Sequence, residues 1–231
     1  MPGPGVALQA GLAGLLVGVG GAVLASKLRA RGTAVPYTRK AFHLVIFTAA
    51  GVVHGLWGLP GTNTYGVVVA TLVLLAVARG DGDPFYEALA RETDRPRRSL
   101  FIVLPLATTA AGGLASALLA GPLAAVGYLV AGWGDAVGEP VGRRWGRHPY
   151  RVPSLAGVAA ERTLEGSSAV FVVSWVAAVL ALLGHGSPSE AVWVGLACAA
   201  AGTLLEAFSH HGLDNLTVQV GASLTAVWLM G

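Results

Sequence analysis

The fifteen lysines and arginines of this 231-residue chain fall into three segments, and the stretches between and beyond them are apolar over lengths suited to a membrane-spanning helix. Lys27, Arg29, Arg31, Arg39 and Lys40 form the first group; Arg79, Arg91, Arg95, Arg97 and Arg98 the second; Arg143, Arg144, Arg147, Arg151 and Arg162 the third. With 54% hydrophobic and only 12% charged residues, the expected class is an all-α polytopic membrane bundle. About eight spans are predicted, near 6–26, 41–58, 63–78, 100–120, 123–141, 167–184, 190–207 and 214–231. Seven remain possible, because several are short and glycine-rich. With eight, every basic residue lies on one side, which charge asymmetry makes cytoplasmic. Both termini are then outside, and the protein is a multi-pass component of the cell (inner) membrane. The first apolar stretch has its positive flank behind it, so it reads as a retained helix rather than a cleaved signal.

No linker divides the chain, and one membrane domain over 1–231 is expected. Among the 33 glycines, Gly14 and Gly18 have the spacing of close helix packing. Two longer cytoplasmic connections stand out, 79–99 and 142–166, and long loops in compact proteins tend to be functional. The first is predicted to hold a short helix from Pro84 to Arg91, capped by Asp83. The second contains His148-Pro149-Tyr-Arg-Val-Pro153, which the prolines keep from being helical. A Ser or Thr near the start of the sixth span is positioned to cap that helix, whose free amides suit an anion. Cys198, the single cysteine, excludes an internal disulfide and is expected to be buried. The net charge of +3 is explained by topology, and no aromatic-basic platform suggests a nucleic-acid partner.

The chemistry-bearing residues gather at the cytoplasmic ends of spans. Gly134, Gly138, Gly142 and Gly146 form one i,i+4 stripe of a helix, and Asp135, Glu139, Arg143 and Arg147 form its charged neighbour. The smooth stripe admits a close backbone neighbour or a ligand. Asp135 and Glu139, one turn apart, can share a hard cation, and all-oxygen ligation suits Mg²⁺ better than zinc. The plainer alternative pairs Glu139 with Arg143. Arg39, Lys40 and His43 share a face at the entry of the second span, where they either cradle phosphate or anchor the helix. Glu206 closes the seventh span; Asp214 and Asn215 open the eighth, where capping is the plainer role. Signatures of soluble nucleotide folds, zincins and serine hydrolases are absent.

Four motifs in order, Arg39-Lys-x-x-His43, Gly134-Asp-Ala-Val-Gly-Glu-Pro-Val-Gly-Arg-Arg-Trp-Gly146, Arg162-Thr-Leu-Glu-Gly-Ser167 and Asp214-Asn-Leu-Thr217, resemble the polyprenol kinase family. These are CTP-dependent membrane kinases of phytol, farnesol, dolichol and diacylglycerol. The resemblance covers about residues 37–225. It implies transfer of a nucleoside triphosphate's γ-phosphate, commonly from CTP, to a membrane lipid alcohol, with Mg²⁺. On that reading the catalytic candidates are Asp135, Asp214 and Glu206, with Asp135 and Glu139 as metal ligands. Substrate and nucleotide binding falls to Arg39, Lys40, His43, Gly134, Gly138, Arg143, Arg162, Thr163, Glu165, Gly166, Ser167 and Asn215. The chain departs from the family pattern twice: Arg162 stands where Lys is usual, and Gln219 where Pro commonly follows Asp-Asn-Leu-Thr-Val. Phosphatidate cytidylyltransferases and diacylglycerol kinases are the alternatives within lipid chemistry, although the cytidylyltransferase signature is absent. A small-solute transporter is a third, disfavoured because the acids cluster at one face without visible repeats.

Overall fold

The apolar stretches fold as helices, as backbone amides require where no water can satisfy them. The computed structural model describes residues 3–152, 160–210 and 212–231; Pro153 of the sequence reading lies outside the described residues. The helices are α1 (Pro4–Ala30), α2 (Val35–Arg79), α3 (Pro84–Leu89), α4 (Leu100–Ala120), α5 (Ala124–Trp145), α6 (Leu164–Leu182), α7 (Pro188–Phe208) and α8 (Asp214–Met230). Between α5 and α6, β1 (Pro149–Val152) and β2 (Ala160–Thr163) pair antiparallel. The prolines there do exclude helix, but the short strands were not foreseen.

Five helical stretches are long and apolar enough to cross a membrane: Pro4–Ala30, Val35–Arg79, Leu100–Trp145, Leu164–Leu182 and Pro188–Phe208. This is a multi-pass membrane protein. The second and third of these stretches are 45 and 46 residues long, about twice the roughly 20 that one crossing takes. The loop expected near 59–62 is a kink at one residue, Gly58 (φ 60°, ψ −157°), with helix on both sides. Glycine tolerates that conformation, and Pro60, just beyond it, needs no amide partner at the start of a new helical arm. Thr62 donates to the Gly58 carbonyl at 2.9 Å and shares a 3.0 Å hydrogen bond with His54 Nδ1, which ties the two arms together. The 100–145 stretch turns at Gly121–Leu123.

The chain divides into two compact units, Met1–Ala107 and Thr108–Gly231. In the first, α1 packs on α2 where glycine allows it. A β-carbon on Gly14 would stand 3.0 Å from Val68 Cβ, and one on Gly18 2.6 Å from Leu72 Cδ1, as the spacing of the pair predicts. The core is built from Phe42, Tyr65, Val69, Val73, Phe85 and Tyr86. Asp83 caps α3, its Oδ1 accepting from the Phe85 and Tyr86 amides at 2.9 Å each. The helix ends at Leu89, two residues short of the expected Arg91, because Ala90 turns extended. Arg98, expected only as a topological charge, is 4% exposed and gathers the loop about itself. Its guanidinium donates to Asp81 at 2.6 Å, Glu87 at 2.7 Å and the Ala90 carbonyl at 3.1 Å.

In the second unit α5 packs on α6 and α8, and α7 on the same two helices. Backbones approach closely: a β-carbon on Gly127 would overlap the Gln219 carbonyl and the Ser223 hydroxyl of α8. Buried polar groups find partners between helices. Tyr128 donates to the Gly113 carbonyl at 2.8 Å, Thr108 to the Gly212 carbonyl at 2.6 Å and Ser174 to the Val130 carbonyl at 3.3 Å. Cys198 is buried and free, as expected. Trp193, Phe208 and Trp228 are exposed, which suits a surface facing lipid.

Two predictions follow from this packing. Gly127→Ala should lower the melting temperature of detergent-purified protein, overpacking costing about 1–3 kcal/mol, whereas Gly66→Ala, with open space at its β-carbon, should leave it unchanged or raised. The loop should also respond to acid. Its hydrogen bond to Arg98 holds the Glu87 carboxyl below its ordinary value of 4.5. The stabilisation is therefore complete above that value and fades as pH falls through the lower folded one. Hydrogen exchange of residues 83–90, corrected for intrinsic rates, should lose protection on acidification, and Arg98→Met should lose it already at pH 7.

Candidate active site

The smooth stripe of α5 is a helix seam. A β-carbon on Gly134 would lie 2.6 Å from Ser174 Oγ, one on Gly138 2.7 Å from Val170 Cγ2, and one on Gly142 2.8 Å from Thr163 Oγ1. The fit is reciprocal, because a β-carbon on Gly166 would stand 2.8 Å from the Gly138 carbonyl. Of the two occupants the sequence allowed, the close neighbour is realised along this face, and it is α6. The charged stripe sits beside the seam, where Asp135 and Glu139 are half-buried. Glu139 meets Arg143 at 3.5 Å, the pairing of the plainer alternative.

Docking α6 on these glycines fixes what precedes it. Thr163 caps the helix, its Oγ1 accepting from the Gly166 amide at 3.1 Å. The strand pair sets Tyr150 opposite Arg162 and Arg151 opposite Glu161. Two side-chain bonds pin β1 to the first turn of α6: His148 Nδ1 donates to Glu165 Oε1 at 2.6 Å, and Tyr150 shares a 2.7 Å hydrogen bond with Ser167. Glu165 and Ser167, predicted as binding residues, therefore hold the strand in this structure. Tyr150 was missed, since four residues are too few to show an alternating pattern.

Arg162 leaves β2 and reaches two other helices. Its Nη2 donates to Asp214 Oδ2 at 2.9 Å and its Nη1 lies 3.3 Å from Glu206 Oε1, all three side chains being about 85% buried or more. Asp214 does not cap α8. The cap is Leu213, without a side-chain bond, and Asp214 is the first helical residue. That position turns one carboxylate oxygen to Arg162 while the other accepts from the Asn215 amide at 3.0 Å. Glu206, in the last turn of α7, meets it across the guanidinium.

These groups border a small crevice of about 10 Å³ lined by Val130, Ala131, Gly134, Asp135, Val170, Glu206, Asp214, Asn215 and Val218. That is room for about one water. The second unit thus brings together Asp135, Glu206, Asp214, Asn215 and Gly134, with Arg162 joined to two of the acids. Arg39, Lys40 and His43 stand in the second and third turns of α2 in the other unit, with Lys40 buried and His43 stacked on Phe47 at 4.3 Å. The carboxylates and amide of the crevice are hard oxygen donors without sulfur or imidazole, which suits Mg²⁺ chemistry. Among the described residues no group of three or more His, Cys, Asp or Glu is placed to hold a metal ion. The donors therefore fit a cation that takes one or two protein carboxylates and completes its shell with water and phosphate oxygens, not an all-protein cage.

The chain is 30% identical over 212 residues to the phytol kinase of Synechocystis sp., an alignment that spans 90% of this chain and 86% of that protein. It belongs to the polyprenol kinase family. No family model matches the chain, and no solved structure matches it. Within the polyprenol kinase framework, the third and fourth motifs meet physically through the Arg162–Asp214 bond, 52 residues apart in sequence.

The ion triad generates a test. Arg162→Gln removes the guanidinium that two largely buried carboxylates share and should cost about 3–5 kcal/mol of stability. Adding Glu206→Gln and Asp214→Asn should recover part of that loss. Thermal unfolding in detergent across the single, double and triple variants measures the coupling; simple additivity would show that the three side chains do not act as a unit.

Proposed function

We propose that this protein is a lipid-alcohol kinase that moves the γ-phosphate of CTP onto the hydroxyl of an isoprenoid alcohol such as phytol, farnesol or a polyprenol. The observation that carries the reading is the Arg162 fork between Glu206 and Asp214, beside a crevice lined by Asp135. Kinship with a phytol kinase over 90% of the chain supports the acceptor class. In this reading the chain is one membrane domain of eight crossings, with 35–79 crossing twice at the Gly58 kink and 100–145 twice at the turn near Gly121. Both termini are then outside, and the three basic segments and the active site face the cytoplasm of the cell membrane.

Phosphoryl transfer asks mainly for alignment and charge neutralisation. The acceptor oxygen bonds to the γ-phosphorus as the bond from that phosphorus to the bridging oxygen breaks, and a nucleoside diphosphate leaves. The hydroxyl proton passes to a carboxylate, Asp214 or Glu206. Mg²⁺, held by Asp135 with Glu139 one turn on, would supply positive charge to the nucleotide phosphates. Arg162 meets the transferring phosphoryl group by giving up one of its two carboxylates, and that exchange places a released acid beside the acceptor. Arg39, Lys40, His43 and Arg143 add polar and positive groups for the polyphosphate. The start of α6 adds its dipole rather than free amides, since the Gly166 amide donates to Thr163 Oγ1 and the Leu164 amide to the His148 carbonyl. Asn215 orients the acceptor from the crevice wall.

Asp135→Asn should lose most turnover, on the order of 10²-fold or more as expected for a group that stabilises transition-state charge, while the protein still inserts and purifies. An assay with γ-labelled and α-labelled CTP, offered with phytol, farnesol, a long polyprenol, diacylglycerol and phosphatidate, decides the class. Label from the γ position in an isoprenoid alcohol is expected. Label from the α position in lipid means a cytidylyltransferase, γ label in diacylglycerol alone means a diacylglycerol kinase, and no label in any lipid rejects all three.

A further inference from the structure

A second and larger cavity, of about 420 Å³, lies wholly within the N-terminal unit, between α1, the second arm of α2 and the start of α3. Its size falls in the range of about 300–1,000 Å³ usual for ligand sites. The helices are pinned together further back, where Gly14 and Gly18 let Val68 and Leu72 approach. The trough opens beyond those contacts. The trough is walled by Val19, Val23, Leu72 and Leu75 and reaches Phe85, a core ring set edge-on to Phe42 at 4.9 Å. Two cations line it, Lys27 in the last turn of α1 and Arg79 at the end of α2.

The charges at this mouth are unequal. Its one acid, Asp83, already accepts two α3 amides through Oδ1, and its other oxygen meets Arg79 at 3.6 Å. Arg79 is thereby held at the rim, while Lys27 is exposed at the same mouth. Two cations against one carboxylate leave a net positive charge above an apolar trough, at the ends of helices of membrane-spanning length. Helix polarity adds to the reason for cations at C-terminal ends, but it does not call for an apolar cavity beneath them. Cations at a helix end over an apolar channel match an acyl chain carrying an anionic headgroup.

We propose that this trough binds an anionic glycerophospholipid, with an acyl chain between α1 and α2 and the phosphate against Lys27 and Arg79. Binding here uses none of the residues assigned to phosphoryl transfer, so the site stands whether or not the kinase reading holds. Its net charge gives selectivity for an anionic over a zwitterionic headgroup, and its apolar walls hold the chain.

Native mass spectrometry of the purified full chain, titrated in detergent with phosphatidylglycerol or with phosphatidylcholine of the same acyl chains, reads both properties. Wild type should bind phosphatidylglycerol more tightly. Lys27→Gln with Arg79→Gln should weaken that lipid by about 25-fold, taking about fivefold per cation, and leave phosphatidylcholine unchanged. Ala22→Trp, which fills the trough, should weaken both. The paired Gln variant alters only exposed side chains, so it remains decisive if Ala22→Trp fails to fold. Equal binding of the two lipids by wild type, or unchanged phosphatidylglycerol binding in the Gln variant, overturns the proposal.

Discussion

A β-carbon on Gly166 would stand 2.8 Å from the Gly138 carbonyl, and that closeness organises the second half of the molecule. It brings the start of α6 onto α5 at backbone distance, with Thr163 as its cap and Arg162 one residue before it. A larger residue at 134, 138, 142 or 166 would push α6 away, and the guanidinium would move with it. In a bilayer the hydrophobic effect does little to join helices, so such association rests on close packing and interhelical hydrogen bonds. The seam supplies the first and the Ser174–Val130 bond the second, while the Tyr150–Ser167 bond ties β1 to α6.

Once Arg162 is fixed, the two acids have somewhere to go. A carboxylate at the end of a membrane helix is costly unless paired, and Glu206 and Asp214 share one guanidinium between helices α7 and α8. Asp135 lines the same crevice. The Arg98 cluster in the N-terminal unit uses the same device, a buried arginine among acids, but there it closes a loop.

Which features were legible followed from their range. The apolar helices, the Gly14/Gly18 contact, the Asp83 cap and the placement of Thr163 were readable because each depends on residues within a turn or on a single apolar run. The Gly58 kink was read as a loop, since glycine and proline mark a break but not how much chain it consumes. Asp214 was readable as a cap because its local pattern is a cap's, and a partner 52 residues away in β2 decided otherwise. The β1–β2 pair left almost no trace, being four residues on each strand. The charged stripe was legible as a stripe, yet its division was not: Glu139 meets Arg143, while Asp135 lines the crevice.

Both departures from the family pattern acquire a physical meaning in this geometry. An ammonium at 162 would be a point charge on a flexible stem, whereas the planar guanidinium presents separate nitrogens to Asp214 and Glu206 at once. The arginine therefore ties α8 to α7 as well as supplying charge. Gln219, where proline is usual, acts on the neighbouring carbonyl. A proline there would remove the helical donor to the Asn215 carbonyl and leave that oxygen available. Here Gln219 Nε2 donates to it at 2.5 Å and also to the Thr109 carbonyl at 3.3 Å, so the carbonyl beside the crevice is held by both main chain and side chain. The two substitutions act in the same direction. Each adds a tether to the first turn of α8, the turn that carries Asp214 and Asn215, and the crevice wall is stiffened where the acceptor hydroxyl is proposed to sit.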